Sequence, residues 1–285
     1  MTAQNSPESG PAGSADRAVA LDRVRFVLVE PSHVGNIGSC ARAIRSMGFT
    51  RLAVVRPRDP QFRKAPEAVA LAAACGDVLA QACSFDSLAE ALHGVQLAFA
   101  TTGYARQFGP ETVEVRDAAR RAAGTALLAQ GQVAFVFGPE RTGLANADVQ
   151  RCQLCCAIPA DAQRASLNLS QATQVVAYEV RRELLALAQR RDEPAPRRDY
   201  RQTGPRVPDA PASVEQAEAL FEHLQEGLVA VGYLDPAQPR HLMARLRRLF
   251  ARAQLTATEI DILRGIAAAM VQPRRERIGT KRRKP

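Results

Sequence analysis

Five short apolar runs mark the first 158 residues, at positions 24–30, 51–55, 95–101, 133–137 and 154–158. Their length and their content of Val, Phe, Leu and Ile predict strands. Helical stretches fall between them at 39–47, 65–79, 88–92 and 115–129. A longer one follows at 167–190, where Leu169, Ala172, Val176, Val180, Leu184 and Leu187 recur at steps of three and four. Regular alternation of strand and helix predicts an α/β fold around a parallel sheet.

The pattern changes after residue 190. Positions 191–212 hold five prolines among Arg and Asp and read as a linker. Three helical patterns follow at 214–231, 239–253 and 257–271. The last opens with Thr256 and Glu259 in capping-box spacing. The chain thus divides into a disordered leader (1–20), an α/β domain (21–190), the linker, a small all-α domain (213–272) and a basic tail (273–285).

Charge adds a partner class to this picture. The net charge is +9, and the tail alone carries seven basic residues against one Glu, which points to a polyanionic partner. Arg240, Arg245, Arg247, Arg248 and Arg252 oppose an apolar stripe in the middle C-terminal helix and form either a solvated face or an RNA contact. The Ser-, Ala-, Gly- and Pro-rich leader lacks signal-peptide order, and no run is long and apolar enough for a membrane span, so a cytoplasmic location is expected. Cys152, Cys155 and Cys156 cluster without a second ligand pair nearby, which favours buried thiols over a metal site.

Three stretches carry candidate chemistry. Gly138, Glu140, Arg141 and Gly143 lie in a loop after the fourth strand, with both charge signs at one point between two glycines. Asn36, Gly38 and Arg42 follow the first strand. Ile158-Pro159 and Ser166-Leu167-Asn168-Leu169-Ser170 follow the last. All three sit at carboxyl ends of strands, so a parallel sheet brings them to one edge, where such folds hold ligands.

Here the sequence resembles the SPOUT-superfamily RNA 2′-O-methyltransferases, specifically those of TrmJ type. The residues that carry the likeness are Ser32 to Ala43, Phe137 to Asn146, and Ser166 to Ala172 running on to Tyr178-Glu179-Val180. The resemblance covers about residues 22–190, more weakly the C-terminal helices. It implies a SPOUT fold with a C-terminal trefoil knot, although true knots are rare. It also implies S-adenosylmethionine as methyl donor, no metal, tRNA and not DNA as partner, no membrane association, and a homodimer that completes the site across its interface. Carried over by position, the donor site is Thr101, Thr102, Gly103, Gly138, Glu140, Gly143, Ile158, Ala165, Ser166 and Leu167. Arg42 is the implied catalytic residue, with Asn36, Ser166 and Asn168 holding the loops and the nucleotide and Glu140 ordering the knot. The spacing from Asn36 places Arg42 in the first turn of its helix.

Other readings remain open. A sibling enzyme acting on rRNA shares the three motifs. A non-catalytic RNA-binding scaffold would bind no donor. A nucleotide-dependent oxidoreductase ranks last, because no Gly-x-Gly-x-x-Gly follows the first strand and no phosphate loop is present.

Overall fold

A computed structural model of the chain describes residues 19–103, 109–161, 166–192 and 210–272. Residues 1–18 of the expected leader, most of the linker, the basic tail and Ala165 lie outside the described residues, while Val19 and Ala20 are helical and Ala20 is buried in the core, so the ordered domain begins before residue 21. Among the described residues, seven strands form one sheet: β1 (Val24–Val29), β2 (Arg51–Val55), β3 (Cys83–Phe85), β4 (Val95–Thr101), β5 (Glu111–Glu114), β6 (Gln132–Phe137) and β7 (Leu154–Ala157). Every pairing is parallel, in the order β3-β2-β1-β6-β4-β7-β5. The short edge strands β3 and β5 add to the five that the sequence pattern predicts.

The central strands are apolar on both faces because both are covered. Phe26 and Leu28 enter one core with Phe99, Phe135 and Phe137, while Val27 and Val29 enter a second with Ala98, Ala134 and Val136. The first core is capped by α1 (Val34–Ser46), α2 (Pro66–Ala72), α3 (Gly76–Gln81), α5 (Val115–Ala123) and α7 (Leu169–Asp192). The second is covered by α4 (Leu88–Ala91) and α6 (Asn146–Gln150). Stacked rings, such as Phe99 on Phe135 at 4.7 Å, fill the first core, and each fully buried Phe or Leu is worth about 1.5–3 kcal/mol.

Three boundaries differ from the sequence expectation. The stretch 65–79 is broken at Ala73, whose φ is +49°, into α2 and α3. The stretch 115–129 ends as an α-helix at Ala123 and continues as a π-turn over Gly124–Leu128. Helix α1 starts at Val34, five residues before the predicted start. Gly38 lies inside it because a Cβ there would stand 2.0 Å from the Ala68 carbonyl oxygen of α2. The glycine is a helix-packing residue.

Helices α8 (Val214–Ala230), α9 (Leu242–Ala253) and α10 (Ala257–Val271) follow the linker. Both α8 and α10 begin with capping boxes, at Ser213/Gln216 and Thr256/Glu259. They pack on each other through Leu220 and Ile260. Val214 is buried in the second core of the sheet, Glu215 accepts from the Gly94 amide at 2.9 Å, and Glu218 pairs with Arg151 of the body and Arg247 of α9. An apolar cavity of about 210 Å³, lined in part by Leu97, Leu154, Phe221 and Phe250, separates α8 and α9 from the amino edge of the sheet. None of the three motifs reaches it.

Candidate active site

The strand order turns outward from β1 on one side and β6 on the other, so the loops after these two strands diverge and leave a crevice at the carboxyl edge. Glu140 closes it. One carboxylate oxygen accepts from the Ser32 amide at 2.9 Å and the other from the Asn36 side-chain amide at 2.5 Å. Asn36 in turn accepts at 3.4 Å from Asn168, whose own side-chain oxygen receives the Ser170 amide at 2.9 Å and the Ser170 hydroxyl at 2.7 Å. A relay Glu140–Asn36–Asn168–Ser170 therefore ties together the loops after β1, β6 and β7. Partial burial alone would raise the pKa of Glu140. The hydrogen bonds from Asn36 and from the amides of Glu140 and Ser32 outweigh that and hold it below its ordinary 4.5.

The loop after β6 is shaped by two glycines for different reasons. A Cβ on Gly138 would meet the Leu144 amide nitrogen at 2.3 Å, because the loop doubles back on itself. Gly143 has φ +65°, and its amide closes the turn on the Pro139 carbonyl at 2.8 Å.

Beside this loop lies a cavity of about 340 Å³. Of the residues expected there, Thr101, Thr102, Gly103, Gly138, Glu140, Gly143, Ile158, Ser166 and Leu167 line it. Sequence reading missed Phe137, Pro139, Thr142, Leu144, Leu169 and Ala172, and did not assign Arg141 to the wall. Of these, Leu169 and Ala172 were readable only as core positions of a helix. The wall mixes apolar faces with a few polar groups, as small-molecule sites do. One of those groups is unspent: the Thr101 hydroxyl oxygen is buried and has no hydrogen-bond partner among the described residues, which suits it to a ligand. The Thr102 amide bonds the Cys156 carbonyl at 3.0 Å, fixing the loop after β4 against β7.

Arg42 stands apart. It is not in the first turn of α1, where the sequence placed it, because the helix starts at Val34. It lies two turns in, about 9 Å along the axis from Asn36 and a third of a turn around it, exposed and outside the cavity lining. Cys40, from the same motif, is no nucleophile. Burial raises its thiol to about 12, and its sulfur rests 3.4 Å from the Thr173 hydroxyl. Cys152, Cys155 and Cys156 are buried and form no disulfide among the described residues.

Parallel sheet, three convergent loops and cavity together define a methylase of the SpoU class. The SpoU rRNA Methylase family model matches residues 23–178, and that of the tRNA methyltransferase TrmJ C-terminal domain matches residues 215–280. The tRNA (cytidine/uridine/adenosine-2′-O-)-methyltransferase TrmJ of Pseudomonas aeruginosa is 40% identical over 86% of this chain and 93% of its own length. The tRNA (cytidine/uridine-2′-O-)-methyltransferase TrmJ of Klebsiella pneumoniae is 40% identical over 88% and 98%. Among solved structures, TrmJ of Z. mobilis aligns with TM-score 0.69 at 30% identity over 86% of this chain and 98% of that one. This chain belongs to the TrmJ family of RNA methyltransferases.

Proposed function

We propose that the protein methylates a ribose 2′-hydroxyl of tRNA, on the cytidine or uridine that opens the anticodon loop, with S-adenosylmethionine as methyl donor. The carrying observation is that two of the motif loops line one cavity and the third is tied to them through Asn36 and Glu140, in a chain 40% identical to TrmJ enzymes over most of its length. When bound, the donor supplies an electrophilic methyl on a sulfonium, and no metal takes part. The Thr101 hydroxyl, without a hydrogen-bond partner among the described residues, and the apolar faces of Ile158 and Leu167 fit such a molecule.

The chain's own residues then position the acceptor. Ser166 and Asn168 sit on the loop leading into α7, where Asn168, braced by Asn36, is available to the nucleotide. Holding two reactants in line supplies up to about 7–11 kcal/mol of a barrier. Arg42 offers a planar guanidinium donor fork, so its part is to orient the 2′-hydroxyl and a neighbouring phosphate and to stabilise the developing alkoxide while the proton leaves to solvent. Its distance from the cavity within one chain supports a homodimer in which the partner subunit completes the site. The insertion of β7 between β4 and β5, with the chain leaving β7 toward α7, supports a trefoil knot through the loop after β4.

Purified protein incubated with S-adenosylmethionine and tRNA, followed by ribose-methylation mapping, tests the reading. Methylation at the first nucleotide of the anticodon loop is expected. Methylation of rRNA alone would move the protein to a sibling activity, and donor binding absent from a folded sample would leave an RNA-binding scaffold.

A further inference from the structure

Glu140 and Arg141 are the only ionisable side chains among the described residues that line the 340 Å³ cavity. They are used differently. Both oxygens of Glu140 are taken by Ser32 and Asn36, so its charge is spent inside the joint between loops. Arg141, the next residue, is exposed and has no hydrogen bond or ion pair with any described residue.

The backbone that presents Arg141 is fixed on either side. Glu140 anchors one end to α1, and the Gly143-to-Pro139 turn closes the other, with Leu144 buried 3% exposed behind it. A free cation on a fixed base at the wall of a cavity is preorganised for an anion that enters the cavity. S-adenosylmethionine carries one such group, the carboxylate of its methionyl end. The rest of the molecule asks for the apolar wall and hydroxyl partners already present at Ile158, Leu167 and Thr101.

We propose that Arg141 receives the methionyl carboxylate of the methyl donor and so fixes the end of the donor remote from adenine. The inference rests on the donor reading above and deepens it. Arg141 is a positioning residue: it grips the donor away from the transferred methyl and takes no part in the proton's path.

The test is a ligand-truncation cycle by calorimetry on the full chain. S-adenosylhomocysteine keeps the carboxylate, and 5′-methylthioadenosine lacks the whole amino-acid end. Arg141→Ala is expected to raise Kd for S-adenosylhomocysteine about tenfold, the scale of one solvent-accessible charge-assisted pair, while Kd for 5′-methylthioadenosine stays put. Arg141→Lys should fall between, since it restores charge without the planar fork. Because Arg141 is exposed, the variants should melt with the wild type.

Equal weakening for both ligands would mean that the substitution reshapes the loop, and it overturns the proposal. So does unchanged S-adenosylhomocysteine affinity, including the case in which tRNA affinity falls and Arg141 proves to hold an RNA phosphate. Failure of the wild type to bind either ligand would overturn the donor reading itself.

Discussion

The two glycines of the loop after β6 give the sharpest test of how the site is built, because one substitution collides and the other does not. In Gly138→Ala the new methyl would lie 2.3 Å from the Leu144 amide nitrogen and 2.4 Å from the Gly143 carbonyl carbon, against an ordinary contact of 3.4 Å or more. About 1 Å of overlap falls on backbone atoms, and Leu144 cannot retreat because its side chain is packed in the second core. Overpacking of this kind costs about 1–3 kcal/mol, which lowers Tm by roughly 2–10 °C for a chain of this size. The loop that moves is also the cavity wall, so Kd for S-adenosylhomocysteine should rise by a larger factor than stability alone requires. Misplacement on the order of 1 Å is enough to cost two orders of magnitude in a positioned site. Gly143→Ala meets nothing within 4 Å and carries only the left-handed backbone penalty at φ +65°, about 1–2 kcal/mol. It should lose melting temperature and keep donor affinity. Differential scanning calorimetry and titration calorimetry on the two variants decide it. If Gly138→Ala melts and binds like the wild type, the loop does not double back as described.

Three further outcomes are expected. Gly38→Ala, with its methyl 2.0 Å from the Ala68 carbonyl oxygen, should lower Tm by several degrees, while Gly76→Ala, which meets nothing, should stay within about 0.5 kcal/mol of the wild type by thermal melts. Arg42→Ala should reduce single-turnover methylation of tRNA by about a hundredfold or more, with little change in Tm or donor Kd, and Arg42→Lys should rescue little; a near-normal chemical step would remove Arg42 from catalysis. Glu140 has a folded pKa below its ordinary 4.5, so its stabilisation is complete above that value and is lost as pH falls through the folded pKa. Glu140→Gln should therefore flatten the fall of Tm below about pH 4.5, and coincident pH profiles would show that the carboxylate is not coupled to folding.

The sequence made the site more legible than the helices around it. Gly138, Glu140, Gly143, Ile158, Ser166 and Leu167 could be placed on one wall because each follows an apolar strand, and parallel strands share a carboxyl edge. Strand β3 was missed because its three residues lie at a sheet edge and none is fully buried. Strand β5 was missed because Val113 is the only buried residue of its four. The break at Ala73 carries no Gly or Pro to announce it. The start of α1 was hidden by the opposite signal: Gly35 and Gly38 read as loop residues, yet they sit in a helix where α2 leaves no room for a Cβ. That error moved Arg42 five residues, about 1.4 turns, deeper into its helix. Arg141 was seen as a charge but not as part of the wall, since nothing in the local pattern shows that Glu140 is already spent.

The order in which the strands leave the ribosome differs from the order in which they lie. By the time β6 has been made, β3, β2, β1, β6 and β4 can form five neighbouring strands, but β5 has no partner, because its only neighbour is β7. That neighbour is translated about forty residues after β5, a wait of roughly 2–8 s at 5–20 residues per second. Throughout it β4 presents an open edge of the kind that recruits other chains. A nascent chain that stalls or is cleaved before Ala157 is therefore an adhesive half-sheet that lacks the Ile158 and Leu167 wall, and not a smaller version of the enzyme. Quality control acting on this protein has a brief, defined interval in which to shield a single exposed strand.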